Sequence, residues 1–457
     1  MRLRHTTRTP GALAGVVGLT VLLAACGGGS TTNEGAGGTA SPGAGEDACA
    51  AYEEFGDLTG KTVSIYTSIV TPEDTPQINS YKPFEECTGV TVKYEGDKSF
   101  ETQVLVRARA GNPPDLAIVP QPGLLKQLVA TGKVVKAPDA VAKNVDDFWG
   151  GDWKAYGTVD GTFYAAPLGA NLKSLVWYSP AEFTEKGIEV PKTIDELKSV
   201  SDKLSEGDRK PWCAGINSGE ATGWVITDWM EDMMLRESGA ETYDKWVNHE
   251  IPFNGPESAG ALDAVGAFMK NEKYFNGGLG NIKSIASTTF QDGGLPILDG
   301  TCSLHRQASF YAANWPAGTT VAEDGDVFAF YLPGKTEDEK PVLGGGEFIA
   351  AFNDKPEVQA FQTYLSSDDW ANAKAKSTPL GGWVSANKGL DAANLVSPID
   401  KLAAETFQDE SAVFRFDGSD QMPAAIGSNA FWKQATAWIT GQSTKDTVDK
   451  IEAAWPK

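Results

Sequence analysis

The sequence predicts an α/β fold, and three observations predict it. Between Lys61 and Val119 three short β-branched or apolar runs alternate with two helix-like stretches, the rhythm of a parallel sheet. The body, about 47–457, is long enough for two lobes. Beyond Ala25 no long apolar run follows, so the chain does not form a channel.

In chain order, Arg2, Arg4 and Arg8 precede an apolar run from Ala12 to Ala25 that is too short for an ordinary spanning helix. A basic start and a short apolar segment predict a secretory signal over 1–25. Leu23-Ala24-Ala25-Cys26 looks like a bacterial lipobox, in which Cys26 is acylated; the alternative is an ordinary signal with an incidental cysteine. Residues 26–46, mostly Gly, Ser, Thr and Ala, read as a lipidated flexible tether. The expected location is the extracellular face of the cell membrane, held by the lipid alone.

Lys61–Thr67, Gly89–Tyr94 and Asp115–Val119 read as strands, with helices over Pro76–Cys87 and after a Ser99 cap, where Phe100, Val104 and Ala108 share one face. Gly56–Thr62 fails as a phosphate loop, because it is one residue short and a strand follows it. In such a sheet ligands are expected beyond the carboxyl ends of strands, here Thr67-Ser68 and Pro120-Gln121-Pro122. Further strands are read at Phe163–Pro167, Leu175–Tyr178, Trp212–Ile216 and Val327–Tyr331. A glycine turn, Gly344–Gly346, leads into another. Helices are read at Trp224–Leu235, Ser258–Lys270, Pro356–Trp370 and Thr444–Trp455, and Thr193 with Glu196 is a capping box.

The net charge of −22 becomes −25 without the signal arginines, which disfavours nucleic acid. With Cys26 lipidated, Cys49, Cys87, Cys213 and Cys302 allow three pairings outside the cell, or free buried thiols. None has metal spacing, and only His249 and His305 follow the signal, so neither metal nor cofactor is expected.

Phe84–Val92, Ala110–Asp115, Gly161–Pro167, Val176-Trp177-Tyr178, Pro191–Leu197 and Lys355–Leu365 occur in an order that resembles the solute-binding proteins of carbohydrate ABC importers. This is the maltose-binding-protein class, extracellular solute-binding family 1. Val119–Gly123 and Ser174–Tyr178 look most like its α-glucoside-binding subgroup. One departure is Cys302, near where many relatives place a tryptophan after the Asp299-Gly300 turn. The resemblance implies a two-lobed periplasmic-binding-protein-like fold (type II) with a hinge of three crossovers. It places lobe 1 at 47–169 plus 326–354 and lobe 2 at 170–325 plus 355–457. Cys49–Cys87 and Cys213–Cys302 are then the favoured disulfides, the first pair lying early and the second inside lobe 2. It implies no enzyme, but a monomer that hands a carbohydrate to ABC permease subunits.

Sugars offer apolar faces and many hydroxyls, which call for aromatic rings beside carboxylates, amides and cations. Ser68 and Gln121 follow strands, where turn polarity is the plainer reading. Asn171 and Lys173 flank a crossover or sit in a solvated loop. Trp224 and Asp228 share a helix face that binds or packs. His305 and Arg306 follow a turn, in the cleft or as a surface pair. Glu347 follows three glycines that admit a ligand or merely turn the chain. Trp383 and Trp432 are stacking candidates, with core packing the alternative. Two other functions stay open. One is a secreted glycoside hydrolase using Glu220, Asp228 or Glu347; the other is the same fold with a non-sugar solute.

Overall fold

The computed structural model describes residues 47–456 other than Gly150, Asp208 and Glu410. The expected signal, Cys26 and the tether lie outside the described residues.

Nine strands position the site: β1 (Thr62–Thr67), β2 (Thr91–Gly96), β3 (Leu116–Val119), β4 (Ala165–Leu172), β5 (Leu175–Tyr178), β6 (Leu304–Arg306), β7 (Phe328–Tyr331), β8 (Lys340–Ala351) and β9 (Ala412–Phe416). The first sheet runs β9-β8-β3-β1-β2, with β4 also paired to β8. β1 is parallel to β2 and β3, whereas β8 is antiparallel to β3 and β4, so this sheet is mixed. The second sheet runs β6-β5-β7 and is antiparallel.

Alternation along the central strands builds a layer on each side of the first sheet. Ile65, Leu116 and Ile118 face a core that includes Tyr81, Phe84, Phe361 and Tyr364. Tyr66, Ala117 and Val119 face Phe100, Val104 and Ala108 of the helix Phe100–Arg109, together with Leu124, Leu125 and Leu128. Both faces are covered, which is why β3 is apolar at every position.

The chain crosses between the sheets at Lys173-Ser174 and again between β7 and β8. These pairings depart from the lobe limits expected at 326 and 354. Phe328–Tyr331 joins β5, since its Phe330 ring packs on Tyr178 and Phe183. Helix Pro356–Leu365 lies on the first sheet, where the Phe361 ring meets Tyr81 edge-on and Phe84 at a tilt, and β9 extends that same sheet.

Local expectations also change. Pro76–Cys87 divides into Asp74–Asn79 and Lys82–Thr88, because Pro83 has no N–H for a continuous helix. The Ser99 side chain forms no cap; its N–H donates to Asp97 Oδ1 at 2.9 Å. Thr193 Oγ1 accepts the Glu196 N–H (3.2 Å), but Glu196 takes the N–H of Lys192 instead of Thr193, leaving half a capping box. Pro356–Trp370 is broken at Ser367, whose Oγ caps the helix Asp368–Lys376. Trp212–Ile216 makes isolated bridges in place of a strand. Gly344–Gly346 lies inside β8 and makes no turn; a Cβ on Gly346 would stand 2.4 Å from the Gly169 carbonyl and 2.8 Å from the Trp153 ring.

Disulfides join Cys49 to Cys87 and Cys213 to Cys302, with Cα–Cα distances of 5.2 and 5.9 Å. Among the described residues no helix is long and apolar enough to cross a membrane.

Candidate functional site

A cavity enclosing about 1000 Å³ of space open to solvent lies beyond the carboxyl ends of β1 and β3. Ser68 follows β1, and Gln121 follows β3 at the start of the helix Pro122–Ala130. Asn171 near the end of β4, Glu347 in β8 and Lys173 in the first crossover form its floor. The helix Trp224–Ser238 presents Trp224 and Asp228 one turn apart, and Trp432 opens the helix Trp432–Ile439. Eight predicted residues from six parts of the chain are thus brought together.

Trp383 lies elsewhere, in an adjoining cavity of about 520 Å³ that shares Ile69, Glu73, Asn171, Phe310 and Glu347 with the first. Its ring meets Trp370 edge-on at 5.6 Å. His305 and Arg306 line neither cavity and form no surface pair. Both are wholly buried, because β6 is the inner edge of a covered sheet. Burial lowers the His305 pKa to about 4, and its Nδ1 lies 2.9 Å from the Cys213 carbonyl. Arg306 stands behind the cavity and binds Asp232 and Asp228. Glu220 is exposed and lines neither cavity.

Lys173 is the electrostatic centre. Its ammonium reaches Asp228 Oδ1 at 3.1 Å, Asp417 Oδ2, and Asp420 Oδ2 at 3.8 Å. Burial alone would lower its pKa, but these carboxylates outweigh burial and hold it well above the usual lysine value. Burial raises Asp228 to about 7 against the pull of Lys173. Asp417 is held below its ordinary value: burial opposes this, but Lys173 and the Asp420 N–H prevail. Burial and Asp417 push Asp420 well above the carboxylate range.

Sequence reasoning missed Glu73, Lys98, Glu101, Phe290, Phe310, Asp417, Ser419 and Asp420 as lining residues. Trp224 packs edge-on to Phe290 at 5.3 Å and lies 5.9 Å from Phe310. Apart from Glu101, which opens the helix Phe100–Arg109, these residues stand on loops and short turns with no periodic signal. The strand-end rule, applied to the unrecognised β9, would have found Asp417. Two polar atoms of lining residues, Gln121 Oε1 and Trp432 Nε1, are buried without a protein hydrogen-bond partner. Glu347 is already engaged, taking the Asn171 amide at 2.9 Å.

The buried carboxyls give stability a pH dependence. Burial raises Glu73, Glu101, Asp228 and Asp400 to about 7 each. The unfolded groups titrate near 4, so between about 4 and 7 the folded state binds more protons and stability falls as pH rises. His305, lowered by burial, acts oppositely between about 4 and 6.5, as one group against four. Thermal unfolding without ligand is expected at higher temperature at pH 6 than at pH 7.5. Calorimetry that finds the reverse would contradict these assignments.

A two-sheet α/β body with a polar, aromatic-walled cavity fed by loops from both sheets defines a class, that of proteins that hold a small solute. The chain belongs to the bacterial extracellular solute-binding proteins, whose family model matches residues 60–372. It is 39% identical over 425 residues to the alpha-glucosides-binding periplasmic protein AglE of Rhizobium meliloti (strain 1021), covering 89% of this chain and 90% of that one. It is 37% identical over 406 residues to the osmoprotective compounds-binding protein GgtB of Synechocystis sp. (strain ATCC 27184 / PCC 6803 / Kazusa), covering 88% and 94%. In fold it resembles the solute receptor AcbH (TM-score 0.71, 19% identity, 86% and 98% covered). It also resembles maltose-bound MalE3 of T. maritima (TM-score 0.65, 15% identity, 86% and 98% covered). The fold is therefore the two-lobed solute-binding fold.

Proposed function

We propose that this protein captures a neutral α-glucoside in the cavity and delivers it, unaltered, to an ABC importer. The observation that carries the reading is the pairing of indole walls, Trp224 and Trp432, with the polar side chains of Ser68, Gln121 and Asn171 in one cavity. Rings cover the C–H faces of a sugar, and polar side chains meet its hydroxyls. AglE, similar over nearly the whole chain, supports the α-glucoside. The non-catalytic reading is supported by the carboxylates themselves, since Asp228 is held by Lys173 and Arg306 and Glu347 by Asn171. One lobe comprises about 47–172 and 332–416 and the other 174–331 and 417–457, hinged near Lys173. Cys26 carries the lipid that holds the monomer outside the membrane. GgtB favours a second reading, an osmoprotective solute.

Calorimetric titration of a soluble form beginning near Glu46 tests these readings, using α- and β-linked di- and trisaccharides and compatible solutes, with recovered ligand checked for cleavage. Micromolar or tighter binding of an α-glucoside recovered intact is expected. Cleavage would favour the hydrolase, and binding of compatible solutes alone would favour the second reading.

A further inference from the structure

The smaller cavity, about 520 Å³ counting space open to solvent, adjoins the main one at Glu73, Asn171 and Glu347, and the two share five wall residues. Its walls are mostly apolar, with Ile118, Leu168, Phe310, Trp370 and Trp383 among them. Lys374, from the helix Asp368–Lys376, is the cation among its lining residues, and it is only 5% exposed. No hydrogen bond or ion pair among the described residues reaches its ammonium. The acids that act on it, Glu347, Glu73 and Asp400, do so from beyond ion-pair distance. Each already has a partner: Asn171 donates to Glu347, Asn314 to Glu73, and the Gly382 N–H to Asp400. A buried ammonium without a partner is costly unless something else in the chamber accepts from it.

We infer that this inner chamber is a second ligand subsite, which takes the aglycone unit of the glycoside and reads its hydroxyl oxygens through Lys374. The inference rests on the functional reading above. The chemistry favours a neutral polyhydroxy unit. Lys374 donates to a hydroxyl oxygen, while Glu73 and Glu347, at the junction, keep carboxylate lone pairs free to accept hydroxyl protons. Trp383 offers the ring that the sugar's apolar face requires, so its place outside the main cavity becomes part of one elongated site.

The test compares a two-unit ligand, maltose or trehalose, with the one-unit ligand methyl α-glucoside, by calorimetry on wild type, Lys374→Met and Ala313→Leu. Met keeps the length of the lysine stem and removes its donors and its charge. Ala313 borders the chamber, so leucine there narrows it without touching Lys374. Both variants are expected to weaken the two-unit ligand at least tenfold and to change the one-unit ligand less than twofold. Thermal scans without ligand check folding, and the second variant stands if the first does not fold. Equal losses for both ligands, or no loss, would overturn the subsite while leaving the function. Failure of wild type to bind any glycoside would overturn both.

Discussion

Lys173→Met is expected to destabilise the protein by about 3–5 kcal/mol at pH 7.5, the usual cost of removing one partner from a buried ion cluster. Lys173 is buried between three carboxylates, and Glu231 adds its field. Methionine fills the same space but cannot neutralise Asp417, which depends on Lys173 for its low pKa. Arg306 also touches Asp228, yet its guanidinium is already committed to Asp232, so it does not replace the lysine. Without the lysine the acids take up protons at higher pH, and the loss is therefore smaller at pH 5 than at pH 7.5. Adding Asp417→Asn should recover part of the stability. Urea unfolding at the two pH values measures this. A loss below about 1 kcal/mol, or one independent of pH, would show that the cluster is not the electrostatic centre of the fold.

Trp224→Ala is expected to cost about 2–3 kcal/mol of ligand affinity, on the order of 30- to 150-fold in Kd. Trp224 is half-buried at the first turn of its helix, with Phe290 and Phe310 fixing the ring at the cavity wall. The indole needs no rearrangement to meet a flat ligand face, so its removal deletes prebuilt contact area. Trp432 is the poorer probe, because it is 4% exposed and truncating it would also open the core. The check is calorimetric titration beside a thermal scan. Weakened binding with a nearly unchanged melting temperature assigns the ring to the ligand, and unchanged binding would remove it from the site.

What could be read in the sequence was what local chemistry decides. The runs around Val63–Tyr66 and Leu116–Val119 are apolar because both sheet faces are covered, and Phe100, Val104 and Ala108 keep helical spacing. Strand ends predicted Ser68 and Gln121 as lining residues, and both line the cavity. The reading faltered where a side chain's direction depends on a distant partner. Arg306 was read as a residue following a turn, in the cleft or at the surface, because nothing near it in sequence shows Asp232 on the helix Trp224–Ser238. Gly344–Gly346 looked like a turn because the Trp153 ring that occupies the missing side-chain space lies almost two hundred residues earlier. β9 is a short edge strand, Ala412–Phe416, left part-exposed at most positions; its apolar run was passed over, and Asp417 beyond it went unnoticed.

β8 imposes an order of assembly on the nascent chain. Among the described residues it is the only strand of its sheet to which β4 pairs, and it separates β3 from β9. It is made only after some 340 residues have emerged. Until then one edge of β3 and both edges of β4 offer open backbone groups to any passing strand. Contacts so distant in sequence form slowly, leaving a long interval in which the partial chain is adhesive. A fragment ending before Lys340 should therefore aggregate.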